Sequence, residues 1–303
     1  MSSPSPNQDK LYKPITAKTL SERQQQALRT CLSVRFKGVV SHTTALDLFR
    51  VERPERLLND HQLHITVSKR HLRRQQFGPD SPDIAIHQWK DLTAEHTIML
   101  STGLRVLSSE ATWGLLAPGL RIDELTEVAE SLIRHGHATE ASLEEFLTSQ
   151  RFPGKAKCRA SLALVVTGSD SPKETQLRLC LYSYGLDRFE VNYRVPDILS
   201  DQGGDITLDL ADCELKIGIE YAGDQHRTEQ RQWRRDLQKH RLLESMGWMI
   251  LQVTQLDLAN PINRERLAMR IASARAQRAG HPLMLSTQIP WEMLADRRRH
   301  SLR

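Results

Sequence analysis

Two carboxylates, Asp209 and Glu220, are the residues of this chain whose type and spacing best suit chemistry. They lie in the stretch DITLDLADCELKIGIEYAGDQH, residues 205–226, which reads as two β-strands joined by a short turn. On the first strand Ile206, Leu208 and Leu210 alternate with Thr207 and Asp209; on the second Leu215, Ile217 and Ile219 alternate with Lys216, Gly218 and Glu220. Strand side chains point to opposite faces with period two, so both carboxylates are expected on the face away from the aliphatic set. A turn centred near Cys213 or Glu214 sets them opposite each other or one diagonal step apart, roughly 5–8 Å between Cβ atoms. Two converging carboxylates at the mouth of a small sheet can hold a hard divalent cation.

The neighbouring segments supply the frame. Ser171-Pro172-Lys173-Glu174 opens a helix with capping-box spacing, with proline at its favoured first-turn position. Leu177, Cys180 or Leu181, and Tyr184 form its inward stripe, and Gly185 ends it. Glu174 lies at the N-terminal end of that stripe; in this helix taken alone it reads as a cap. EVNYRV, residues 190–195, is a further strand. After the carboxylate pair, Gly223 bends the chain, and Asp224, Gln225 and His226 crowd the sheet end beside Glu220. A helix from about Thr228 to Met246 is expected to turn Trp233, Leu237, Leu242 and Met246 inward. Its basic residues, Arg227, Arg231, Arg234, Arg235, Lys239 and Arg241, form either a solvated face or a set of phosphate contacts. Gly247 caps that helix and WMILQV is a buried strand. The order is helix, three strands, helix, strand.

Upstream, residues 1–20 are a loose Ser/Pro/Lys-rich leader, followed by a helix to about Leu32. GVVSHTTALDLFRV starts a second helix with Ser41 as cap, and Leu63 to Val67 is a short strand. DIAIHQW and HTIMLSTGLRVLS read as two more strands, SSEATWGLLAP as a helix, and Arg121 to Arg134 as an amphipathic helix. This predicts a first domain over 21–150, a linker with a helix over 151–170, a second domain over 171–260, and a helical, basic appendage over 261–303. The fold class expected is mixed α/β (α+β).

At 303 residues, with 39% hydrophobic and 26% charged residues, the chain can build two cores and is not disordered wholesale. A net charge of +5 permits a polyanionic partner. The four cysteines are scattered, with no CxxC and no paired histidine spacing, so they read as reduced thiols and no zinc site built from them is expected. No secretory leader or membrane span is legible, and a cytoplasmic protein is expected.

Two resemblances add to this reading. SPKETQLRLCLYSYGL, the DLAD strand, IEYAGDQHR and the later RLLESMGWMIL resemble a family related to very-short-patch-repair endonucleases, within the PD-(D/E)XK nuclease superfamily. The resemblance covers about residues 170–260. It implies a restriction-endonuclease-like αβββαβ core and Mg2+- or Mn2+-dependent hydrolysis of DNA phosphodiester bonds. Asp209 and Glu220 would then be metal ligands and Glu174 an accessory ligand or water-orienting group. His226 would act near the attacking water or leaving group, with Asp224 and Asp236 supporting the ligands. Relatives carry an acidic residue or lysine where this chain has Ala222, and arginine where it has Gln252, which favours the alternative of an inactive nuclease fold retained as a DNA-binding regulator. Over roughly 20–140, GVVSHTTALDLF, LHITV, RVLSSEATWGLLAP and ELTEVAESLIRHG resemble the winged-helix region of AbiEi-type antitoxin-like proteins. DNA, a second copy of the chain, or a toxin partner are the partners implied.

Overall fold

The computed structural model describes residues 22–74, 77, 82–199, 204–222, 230–280, 282 and 285–301. These divide into two compact units, one ending at Leu116 and the other beginning at Ala117. Both are mixed α/β.

The first unit contains α1 (Glu22–Ser33), β1 (Val39–Val40), α2 (His42–Phe49), β2 (Leu63–Val67), β3 (Ile84–Gln88), β4 (Thr97–Met99), β5 (Arg105–Leu107) and α3 (Ser109–Leu116). Its strands form one mixed sheet in the order β3-β2-β1-β5-β4. The segment 96–108 was expected as one strand but is a hairpin. Leu100 donates to Leu104 O at 2.9 Å and Gly103 takes φ +81°, a left-handed turn that glycine adopts without steric cost. β2 is buried at all five positions, so its alternation of polar and apolar residues does not mark a wet face. His64 and Thr66 are enclosed along with Ile65 and Val67.

The second unit begins with α4 (Ile122–Arg134), α5 (Glu140–Ser149), α6 (Lys155–Leu164) and α7 (Pro172–Ser183). It continues through β6 (Glu190–Leu199), β7 (Asp205–Asp212), β8 (Ile217–Tyr221), α8 (Gln230–Ser245) and β9 (Met249–Val253). It closes with α9 (Gln255–Leu258), α10 (Pro261–Ala279) and α11 (Trp291–Ser301). The sheet order is β6-β7-β8-β9, antiparallel except for the parallel pair β8/β9. The helices expected to close the first domain, α4 and α5, belong instead to this unit. The expected appendage belongs to it too: Leu267, Ile271, Leu294 and Ala295 share one core with Leu177, Leu181, Leu210 and Ile219. On α10, Arg275 pairs with Asp212 at 2.8 Å and stacks over the Phe189 ring at 4.1 Å, which ties α10 to the end of β7.

The reason α4 joins this unit is a buried ionic knot. Arg178 on α7 and Glu130 on α4 are 1% and 3% exposed and ion-paired. Glu130 Oε1 also accepts Val166 N at 2.8 Å, and Oε2 accepts Thr175 Oγ1 at 2.6 Å. Arg178 Nη1 donates to Leu164 O at 3.1 Å. Four segments therefore meet on one carboxylate and one guanidinium. An unpaired charge at such a site is strongly unfavourable, so breaking the pair costs more than replacing it whole. Arg178→Met should lower unfolding free energy by about 3–5 kcal/mol, and Arg178→Met combined with Glu130→Leu by clearly less, both read from urea denaturation midpoints.

Candidate functional site

The site begins where strand alternation breaks. Val191 pairs with Leu210, and Tyr193 with Leu208. Val191 and Leu210 nevertheless pack with the α7 and α10 side chains, whereas Tyr193 and Leu208 pack with Leu243 and Trp248 on the opposite face. The change of face falls on the residues between, Asn192 and Asp209. Asn192 takes φ +47°, a left-handed conformation that asparagine tolerates better than most residues, and its Nδ2 donates to Gly168 O. The aliphatic set of β7 is thus divided between two cores, not gathered on one face as the period-two pattern predicted. Asp209 sits at the crossover, and its Oδ2 accepts the Tyr221 N–H at 2.7 Å.

β8 carries the second carboxylate. Leu210 pairs with Ile219, and extending that register by one residue sets Asp209 across from Glu220. On the other side Glu220 pairs with Gln252 of β9. Gly218 lies one step back on the same face, where a Cβ would come within 2.9 Å of Leu208 and 2.8 Å of Ile250. Glycine there lets the side chains of both neighbouring strands close over β8.

α8 crosses this face and brings two cationic or protonatable groups to Glu220. Lys239 Nζ forms an ion pair with Glu220 Oε1, and His240 Nε2 lies 3.5 Å from Oε2. Gln252 Nε2 is 3.4 Å from His240 Nε2, so one ring nitrogen faces both Gln252 and Glu220. The inward face of α8 also differs from the expected one. Leu243 is fully buried, whereas Leu237 and Leu242 are each 37% exposed, a rotation that brings Lys239 onto the sheet.

Glu174 approaches from α7. It is 8% exposed, its N–H is capped by Ser171 Oγ at 3.3 Å, and its Oε2 accepts Asp170 N at 2.8 Å. The capping function read from the helix is therefore present. Glu174 is also close enough to Asp209 for the two charges to repel. The three carboxylates do not, however, gather their oxygens within 4.8 Å of one another; among the described residues only His42, His64 and His87 bring ligand atoms that close.

Electrostatics separates the carboxylates. Burial, followed by the negative charges of Glu174 and Glu220, pushes Asp209 up to about 7, against the opposing Tyr221 hydrogen bond. Glu174 is raised too, chiefly by burial. Burial would also raise Glu220, but His240 and Lys239 outweigh it and hold this group below the ordinary glutamate value. One carboxyl is poised to be protonated near neutrality and its neighbour across the ladder is held ionised. That is a place where a cation in contact with Asp209 would relieve a charge conflict the protein leaves standing.

Several expected participants fall elsewhere. Asp224, His226 and Arg227 lie outside the described residues, as do the side chains of Arg231, Arg234, Arg235 and Asp236 on α8. Lys239, read from the sequence as part of a solvated face or a phosphate contact, is ion-paired with Glu220, and Arg241 is solvent-exposed. Ala222 continues the ladder by donating to Val253 O at 2.7 Å. His240 was not singled out from the sequence, where it is one polar residue within a basic run. Its role depends on helix rotation, which the apolar pattern of α8 misassigns by one residue.

Comparison with protein families, curated proteins and solved structures finds no match for this chain.

Two tests follow from the charge arrangement. Asp209 has a folded pKa above its unfolded value of 3.8, so the stability it contributes is complete below that value and lost as pH rises through about 7. Chelator-treated protein should therefore show a falling denaturation midpoint from pH 5 to about 8, and Asp209→Asn should flatten that fall. Lys239→Met leaves Glu220 buried with less counter-charge, so its carboxyl carbon should titrate at higher pH in 13C NMR spectra than in the parent protein.

Proposed function

We propose that the second unit is a divalent-cation-dependent endonuclease domain that hydrolyses DNA phosphodiester bonds, on a restriction-endonuclease-like αβββαβ core. The single observation that carries the reading is the Asp209–Glu220 pair, set opposite each other when the β7/β8 register is extended by one residue, with Asp209 lifted to about 7 by burial first and then by the charges of Glu174 and Glu220. The order α7, β6, β7, β8, α8, β9 around that pair is the order the sequence resemblance leads one to expect. The first unit enters this reading as a winged-helix-like module that brings the domain to DNA.

The donor set suits Mg2+ or Mn2+, which accept carboxylate oxygens and retain water ligands. Two carboxylates suffice for such an ion, so Asp209 and Glu220 would hold it, and Glu174 would be an accessory ligand or orient water. When bound, the ion supplies charge stabilisation at the phosphate and a more acidic water. The chain's own residues do the rest. Asp209 loses its proton above about pH 7 and would then be able to serve as a ligand. Lys239, ion-paired with Glu220, is the ammonium at the site that would be available to contact a phosphate. His240, with Gln252 against its ring, keeps a protonatable group beside Glu220.

A second reading, a DNA-binding regulator with an idle nuclease fold, is favoured by a specific pairing. Both oxygens of Glu220 already face basic groups of α8, and Ala222 offers no side-chain ligand or charge. Incubation of plasmid and mismatched duplex DNA with the full chain and Mg2+ or Mn2+ separates the two. Cleavage that rises through pH 7 and disappears in both Asp209→Ala and Glu220→Ala supports the nuclease. Salt-sensitive binding without cleavage supports the regulator, and no binding even at low salt overturns both.

A further inference from the structure

We propose that His42, His64 and His87 of the first unit form a binding site for a borderline transition-metal dication such as Zn2+, with Asp60 orienting His64 behind the ligands. The site is separate from the carboxylate pair of the second unit and does not depend on its function. The three histidines stand 22 and 23 residues apart, too widely spaced to read as one motif.

The fold brings them together through register. Ser41 donates its N–H to His64 O at 2.9 Å, which fixes the start of α2 against β2. The Thr44 hydroxyl accepts the His64 N–H at 3.0 Å, adding a second stitch at the same point. In the parallel β2/β3 pair, His64 aligns with Ala85 and Thr66 with His87, so the two rings are diagonal neighbours on one face. Each residue offers a ligand atom within 4.8 Å of the others.

Second, the outer partners are those that a ligating imidazole uses. His64 Nε2 is 2.9 Å from Asp60 Oδ2, which leaves Nδ1 facing the cluster, 2.9 Å from His87 Nε2. Asp60 is itself held by Gln62 N and Thr43 Oγ1, each at 3.2 Å. A carboxylate fixing one ring nitrogen while the other faces a metal is a recurrent device that sets tautomer and raises ligand basicity. The His42 ring hydrogen bonds the Leu115 backbone, and its Nδ1 is 3.0 Å from Ser41 Oγ.

Third, the backbone at the cluster is strained. His42 adopts φ +51°, a left-handed backbone that costs free energy in any residue with a Cβ, and such conformations concentrate at binding sites. The His42 and His87 rings are stacked with centroids 3.6 Å apart, while His64 lies 5.1 and 5.6 Å from them. Three imidazoles radiating from a tetrahedral ion with 2.0–2.1 Å bonds have centroids about 5.2 Å apart and ligand nitrogens about 3.3 Å apart. Two of the three ring separations already match. Only the stacked pair must part, and His87 lies on β3, an edge strand of the sheet, where it is half-buried. Three imidazoles without a carboxylate or thiolate ligand select Zn2+, Cu2+, Ni2+ or Co2+ over Mg2+.

The test uses the full chain, stripped with a chelator and titrated with Zn2+ and, in parallel, with Co2+. We expect one tight equivalent of Zn2+ per chain, a rise in Tm on binding, and visible Co2+ absorption of a low-symmetry four-coordinate site. His87→Gln, at an edge-strand position that leaves the core intact, should weaken Zn2+ binding more than 100-fold, with circular dichroism unchanged. Asp60→Asn should weaken it by about 10–100-fold, as removal of such an outer partner does elsewhere. The proposal is overturned if the wild-type chain takes up no stoichiometric Zn2+. It is equally overturned if His87→Gln and Asp60→Asn, both folded, bind Zn2+ as tightly as the parent.

Discussion

The second unit depends on the ion pair between Arg178 and Glu130, because it is the point where four separate segments become one body. Both groups are almost wholly withdrawn from water, so each must be matched by partners, and the groups come from α4, the last residue of α6, the α6–α7 connection and α7 itself. Net stabilisation from such a pair is small once desolvation is counted, but its geometric demand is severe. α7 cannot slide or rotate against α4 without stranding a charge. Glu174, one helical turn before Arg178, inherits that fixity, and with it the third carboxylate of the candidate site.

A second constraint acts within the sheet. The crossover at Asn192 and Asp209 lets one strand serve two cores, with Leu210 packing toward α7 and α10 and Leu208 toward α8. The residue at the crossover belongs fully to neither. Its carboxylate turns along the strand to take the Tyr221 N–H and meets the charges of Glu174 and Glu220 in a place largely shielded from water. The raised proton affinity of Asp209 thus follows from backbone geometry and burial together. Glu220, although it is buried too, is held ionised because α8 delivers His240 and Lys239.

The two units also place histidine and carboxylate chemistry differently. In the second, charge is gathered around Asp209 from a helix start, the neighbouring strand and a later helix. In the first, three imidazoles come from a helix start and two parallel strands, with Asp60 behind one of them. Oxygen donors in one place and nitrogen donors in the other suit different cations, hard in the second unit and borderline in the first.

Much was legible in local pattern. The strand–turn–strand of residues 205–221, the capped start of α7 at Ser171, its end at Gly185 and the helix-strand order of the second unit follow from periodicity and turn chemistry, which act within a few residues. The candidate carboxylates Asp209 and Glu220 came from the same reading. What tertiary structure alone decided is whatever required distant segments to meet: α4 joining the second unit through Glu130, Leu243 rather than Leu242 turning inward, Lys239 landing on Glu220, and three isolated histidines converging. Periodicity names the face of an element but not its rotation within a residue, and it carries no information about burial. Proton affinity, ion pairing and ligand convergence are set by burial and by register between strands, so they are properties of the folded chain and of no stretch of it.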